Sequence, residues 1–169
     1  MSSRADYTTE EWELLYLCPL YVGTAIATAA GSGLIGSVRE AFAVATSPAN
    51  AAREFRENLL VQELIATHNT PKTRDVDVQA FGRDMVQAQN RAFAACRTAC
   101  AILAEKSTPG EAAGYKQWVL RVAETVAKAG AEGNFLGIGG QTISPPEEEI
   151  LSILRRELGV SGGRCGPSR

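Results

Sequence analysis

The 169-residue chain reads as an all-α protein, one domain over residues 1–160 with five or six helices in an orthogonal or bundle-like core. Three observations predict this. Helix-start signals recur along the chain, apolar residues recur at alternating three- and four-residue steps, and no stretch shows the period-two alternation of a half-buried strand.

The first helix is announced by Thr8-Thr9-Glu10-Glu11, a capping box in which the Thr8 hydroxyl takes an orphan backbone N–H and Glu11 reaches back. It should run from about Thr9, bend or break near Pro19, and resume to about Ala30. Gly31-Ser32-Gly33 ends it, and a short second helix follows from Leu34 to Thr46. Ser47-Pro48 then reads as an N-cap with proline in the first turn, opening a third helix to about His68 on Phe55, Leu59, Leu60, Leu64 and Ile65.

Asn69 to Asp75 forms a polar loop. The fourth and longest helix carries Val78, Phe81, Met85, Ala88, Ala92, Ala95, Ala99 and Ile102, and its small side chains permit close helix–helix approach. Thr108-Pro109-Gly110-Glu111 starts a fifth helix with a stripe of Tyr115, Trp118, Val119, Val122 and Val126. Ser144-Pro145-Pro146-Glu147 starts the last, with Ile150, Leu151, Leu154 and Leu158, ending at Gly159. Residues 161–169 lack periodicity and are expected to be a disordered tail.

Composition excludes several functions. A net charge of −2 from 17 basic and 19 acidic residues, with the basic ones scattered, gives no footprint for nucleic acid. Four cysteines are too few for a small secreted disulfide framework, and the N-terminus has no basic region leading directly into an apolar run; a cytoplasmic protein is expected. Leu14 to Val38 carries no charge and is long enough to cross a bilayer, but Gly, Ser, Thr, Ala and a Pro dilute it. A helix buried on nearly all sides is favoured over membrane association.

Glu132 to Glu149, with Gly133, Gly137, Gly139 and Gly140, matches neither a dinucleotide fingerprint nor a Walker loop. The three glutamates at the following helix start compensate the dipole and repel a second anion. Too few acidic and amide oxygens remain for a calcium loop. The loop therefore reads as a structural corner plugged by Phe135, Leu136, Ile138 and Ile143.

That corner, an alanine-rich helix, Glu132-Gly133, a turn, Ser144 and Glu148, resembles the corner of TerB-like tellurite-resistance domains over about 40 residues. Glu stands where that family has Asp, the loop is longer, and the family's charged surface is not evident. The resemblance implies an all-α, bacterial domain in a stress- or membrane-linked system, and carries over no catalytic residue.

Chemistry-bearing residues are sparse. Cys96 and Cys100 share a helical face mid-helix among alanines, where thiols act as small hydrophobes; adding Cys18 and His68 would complete a zinc set by ligand type, with no supporting spacing. His68, the only histidine, lies at a helix C-terminus where a ring N–H can take a terminal carbonyl. Arg83, Asp84, Asn90 and Arg91 form a polar face on the fourth helix, a solvated surface unless neighbouring helices cover it. No cofactor is expected. The reading is a non-enzymatic domain acting through a protein partner or self-association, with a small-ligand, metal-binding or enzymatic cavity around the fourth helix as the alternative.

Overall fold

The computed structural model describes residues 2–29, 46–68, 85–133 and 143–160. All regular structure in them is helical. After a 3₁₀ turn at Arg4–Asp6 come α1 (Thr9–Ala29), α2 (helical over 46–51), a second 3₁₀ turn at Ala52–Glu54, α3 (Leu59–His68), α4 (Met85–Lys106), α5 (Pro109–Gly133) and α6 (Pro145–Glu157). The helices share one continuous apolar cluster.

Each expected helix start on Ser or Thr with Glu three residues on is realised as a closed capping box. Thr8 N–H donates to Glu11 Oε2 at 2.7 Å while Glu11 N–H donates to Thr8 Oγ1 at 3.2 Å. Thr108 and Glu111 repeat this exchange at the start of α5, and Ser144 N–H donates to Glu147 at 2.8 Å at the start of α6. The last helix ends as expected: Gly159 takes a left-handed φ of 63°, and Val160 N–H closes onto the Arg155 carbonyl.

The stretch expected to form one helix from Ser47 to His68 is two. Thr46 and Ser47 are both already helical, so Ser47 is not a boundary cap, and the chain turns between Ala52 and Asn58 before α3 begins. Asn58 is the new N-cap: its Oδ1 accepts the Val61 N–H at 3.1 Å. Gln62 then reaches back across the break, donating to the carbonyls of Ala52 (2.9 Å) and Phe55 (3.0 Å), which also accept the backbone N–H groups of Phe55 and Asn58.

Helix α1 is the centre of the molecule. It contacts α3, α4, α5 and α6, most broadly α4, whose Ala88, Ala92, Ala95 and Ala99 are buried in a stripe. From Leu20 to Ala29 every α1 residue except Tyr21 is buried, and Thr24 and Thr28 satisfy their hydroxyls on carbonyls one turn back. The uncharged stretch is thus an interior helix as far as it is described, and no helix among the described residues is long and apolar enough to cross a membrane. The expected α5 and α6 stripes are all buried. Met85 departs from its expected stripe and is 45% exposed, at the described start of α4. Among described residues α5, at 25, is longer than α4, at 22. The expected second helix at 34–45, the polar loop, the stripe positions Val78 and Phe81, the glycine corner at 134–142 and the tail lie outside the described residues.

Pro19 does not break α1, which runs through it from Thr9 to Ala29. Proline has no N–H, so the carbonyl four residues back, on Leu15, loses its intrahelical donor inside the core. The Tyr115 hydroxyl of α5 supplies one, donating to Leu15 O at 2.7 Å from a fully buried position. One turn on, Trp118 Nε1 donates to the Pro48 carbonyl at 2.9 Å, joining α5 to α2.

Two stability predictions follow from these contacts. Tyr115→Phe leaves the Leu15 carbonyl buried and unpaired and should cost about 1–3 kcal/mol in denaturant unfolding. In a Pro19→Ala background, residue 19 regains its N–H, so the same substitution should cost about 1 kcal/mol less; strict additivity would refute the coupling. The second concerns Gly114, where an added Cβ would collide with the Asn58 amide that donates to Glu111 O. Gly114→Ala should therefore destabilise by about 1 kcal/mol net, the lost cap and bond exceeding alanine's helical advantage. Gly110→Ala, with nothing near its Cβ, should be neutral or stabilising by up to about 1 kcal/mol.

Candidate functional site

Trp12 and Tyr16 lie four residues apart on α1 and so share a face, turned toward the C-terminal end of α3. Together with Arg4, Thr9, Glu13, Leu17, Thr67 and His68 they line a cleft of about 370 Å³. Its walls are aromatic. Tyr16 and His68 stack with ring centroids 3.8 Å apart and planes within 5°, and the Arg4 guanidinium stands 5.3 Å over the Trp12 ring.

Each member is held by the fold. The Arg4 backbone N–H donates to Glu63 Oε1 at 3.3 Å, and its guanidinium donates to the Tyr7 carbonyl at 2.8 Å and to Thr9 Oγ1 at 3.4 Å. Tyr7 packs against Trp12 and bonds Ser107 Oγ at 2.7 Å, tying the N-terminal turn to the end of α4. His68, the last residue of α3, donates Nδ1–H to the Leu64 carbonyl at 3.0 Å, the terminal-carbonyl role expected of it. Trp12 is almost wholly buried, and its Nε1 has no hydrogen-bond partner among the described residues.

Burial pushes the His68 pKa below the ordinary 6.5; the Leu64 bond and Glu13 pull against this without reversing it. Burial also raises the Tyr16 phenol. At neutral pH the cleft thus presents an uncharged imidazole–phenol stack, with Arg4 and Glu13 among its lining residues.

A larger groove of about 550 Å³ runs between residues 53–58 and the start of α5, lined by Arg53, Glu54, Arg56, Glu57 and Glu111. Its polar walls are occupied with architecture: Asn58 caps α3, and Glu111 closes the α5 box and accepts Ser2 N–H. The smaller cleft is the better candidate because aromatic rings and a guanidinium converge on it.

The residues singled out in the sequence are dispersed. Asn90 and Arg91 are exposed on α4, with the Arg91 guanidinium 5.5 Å over the Tyr21 ring, so neither belongs to a buried polar network; Arg83 and Asp84 lie outside the described residues. Cys18 faces Cys96 in the core, Cys100 sits half-buried one turn on, and His68 packs on Tyr16 instead of joining them. Among the described residues no three His, Cys, Asp or Glu side chains are placed to hold a metal ion. The cleft residues that sequence reasoning did not single out are Arg4, Trp12 and Tyr16. The available signal was the Trp-x-x-x-Tyr spacing on α1.

Comparison with protein-family models, with curated proteins and with solved structures finds no match to this chain.

Because His68 has a depressed folded-state pKa, the unfolded chain binds its proton first as pH falls. Its contribution to stability is complete above the unfolded value of 6.5 and is lost as pH drops below it. Thermal unfolding should therefore show a lower Tm at about pH 5 than at about pH 7, and His68→Phe, which keeps a ring against Tyr16, should flatten that part of the profile. An unchanged slope in the variant would assign it to other groups.

Proposed function

We infer that the chain is a non-enzymatic helical binding domain whose recognition site is the Arg4–Trp12–Tyr16–His68 cleft. The observation that carries this reading is the convergence of three aromatic rings and one guanidinium on a single cleft of small-ligand size. The ligand is a small planar group whose face stacks on the cleft rings.

The only histidine supports binding more readily than catalysis, because its Nδ1–H is committed to a backbone carbonyl and its ring lies flat on Tyr16. Recognition of a protein partner or a second copy is the second reading. It is favoured by Met85 and Val86, adjacent and 45% and 55% exposed at the described start of α4.

A panel of planar heteroaromatic acids and amides, screened by thermal shift and intrinsic fluorescence, tests the first reading. A true ligand raises Tm with concentration, as binding only the folded state requires. It also changes tryptophan emission through Trp12, which lines the cleft as Trp118 does not. Tyr16→Ala should weaken such binding at least about tenfold. A silent panel, with light scattering that shows concentration-dependent dimers, would replace the cleft reading with the second.

A further inference from the structure

Two thiols face each other at the broadest helix contact in the core. Cys18 of α1 and Cys96 of α4 are fully buried free cysteines with Sγ atoms 3.9 Å apart. Cys100, one turn beyond Cys96, is half-buried and lies 3.8 Å and 3.9 Å from the Glu157 and Leu158 carbonyls. It shares a helix with Cys96 and is directed to the end of α6.

We propose that Cys18 and Cys96 form a latent disulfide, an oxidation site that staples α1 to α4 when a peroxide reaches the core. A disulfide needs its sulfurs about 2.05 Å apart, so the pair must close by somewhat under about 2 Å. The place for that movement is built in. Cys18 immediately precedes Pro19, where α1 lacks one rung of its hydrogen-bond ladder and the Leu15 carbonyl depends on Tyr115.

The chemistry balances with one peroxide. One thiol loses its proton, and its sulfur attacks a peroxide oxygen; the O–O bond breaks, a sulfenic acid forms and water leaves. The second thiol attacks the sulfenic sulfur, the S–S bond forms, the S–O bond breaks, and the departing hydroxide leaves as water with the second thiol proton. Two thiols are oxidised by two electrons and the peroxide is reduced to two waters. The Cys18 contact and burial hold the Cys96 thiol protonated far above the ordinary range. The reaction is therefore slow and gated by opening of the core, which makes the pair a staple under sustained oxidation and not a fast sensor. The closed loop spans a sequence separation of 78, long enough for cross-linking to restrict the unfolded chain strongly.

The test is to treat the full chain with hydrogen peroxide, quench by alkylation under denaturing, non-reducing conditions, and map the peptides. The expected product is a Cys18–Cys96 cross-linked peptide that reduction releases, with Tm raised by at least about 5 °C. Cys100→Ala should retain both effects, and Cys18→Ala should lose them. Mapping of the unaltered chain decides even if a variant fails to fold. Recovery of Cys18 and Cys96 as alkylated thiols while Cys100 or Cys165 is oxidised would overturn the proposal, as would a cross-link that leaves Tm unchanged.

Discussion

A proline inside a buried helix sets the terms for this fold. Because Leu15 is fully buried, the missing N–H of Pro19 has to be replaced by another donor for its carbonyl, and Tyr115 supplies it. That one bond fixes the rotation and height of α5 against α1, because the phenol reaches the carbonyl only from one turn of α5. Trp118, stacked edge-on to Tyr115 with ring centroids 5.5 Å apart, then fixes α2 through the Pro48 carbonyl. Two neighbouring aromatic side chains on α5 thus position three helices by satisfying backbone oxygens, and the apolar burial around them adds the bulk of the stabilisation.

The polar periphery extends the same frame outward to the cleft. Glu111 belongs to the α5 capping box, yet it also accepts the Ser2 N–H, drawing the N-terminal segment onto α5. Burial opposes its charge, but the bonds from Thr108 and Ser2 outweigh it and hold its pKa below the ordinary 4.5. Asn58 joins α3 to the neighbouring Glu111 carbonyl, and Glu63 of α3 holds the Arg4 backbone. Arg4 is therefore placed over Trp12 by contacts with α3 that are themselves registered on α5. At the same end, Lys106 and Glu11 pair at 2.6 Å and fasten the end of α4 to the start of α1.

What could be read from the sequence was local. Every Ser/Thr-to-Glu capping box signalled a real helix start because its bonds span three residues. The break at Ala52–Asn58 was hidden because Phe55, Leu59 and Leu60 continue an apolar rhythm across it, although Asn58 before Leu59-Leu60 is a cap signal in its own right. The pairing of Tyr115 with Leu15 could not be foreseen, since the freed carbonyl is visible at Pro19 but its donor lies 100 residues along the chain. The cleft was hidden for a related reason. It is assembled from three separate segments, whereas the polar residues of the fourth helix are neighbours in the chain, of which Asn90 and Arg91 are exposed.

The location of the cleft follows from how little freedom α1 has elsewhere. Leu15, Cys18 and Val22 are fully buried at three- and four-residue steps, and from Leu20 onward Tyr21 is the only residue that is not buried. A helix occupied on nearly all sides has no face left for a ligand, which is why it carries no charge after Glu13. Toward its start the surroundings thin out, and Glu10, Glu11 and Glu13 alternate with Trp12 and Tyr16. Polar and aromatic faces therefore meet on the central helix at its first two turns, beside the end of α3. The proposed site therefore lies on the helix around which the other elements are arranged, at the end where that helix is only beginning to be enclosed.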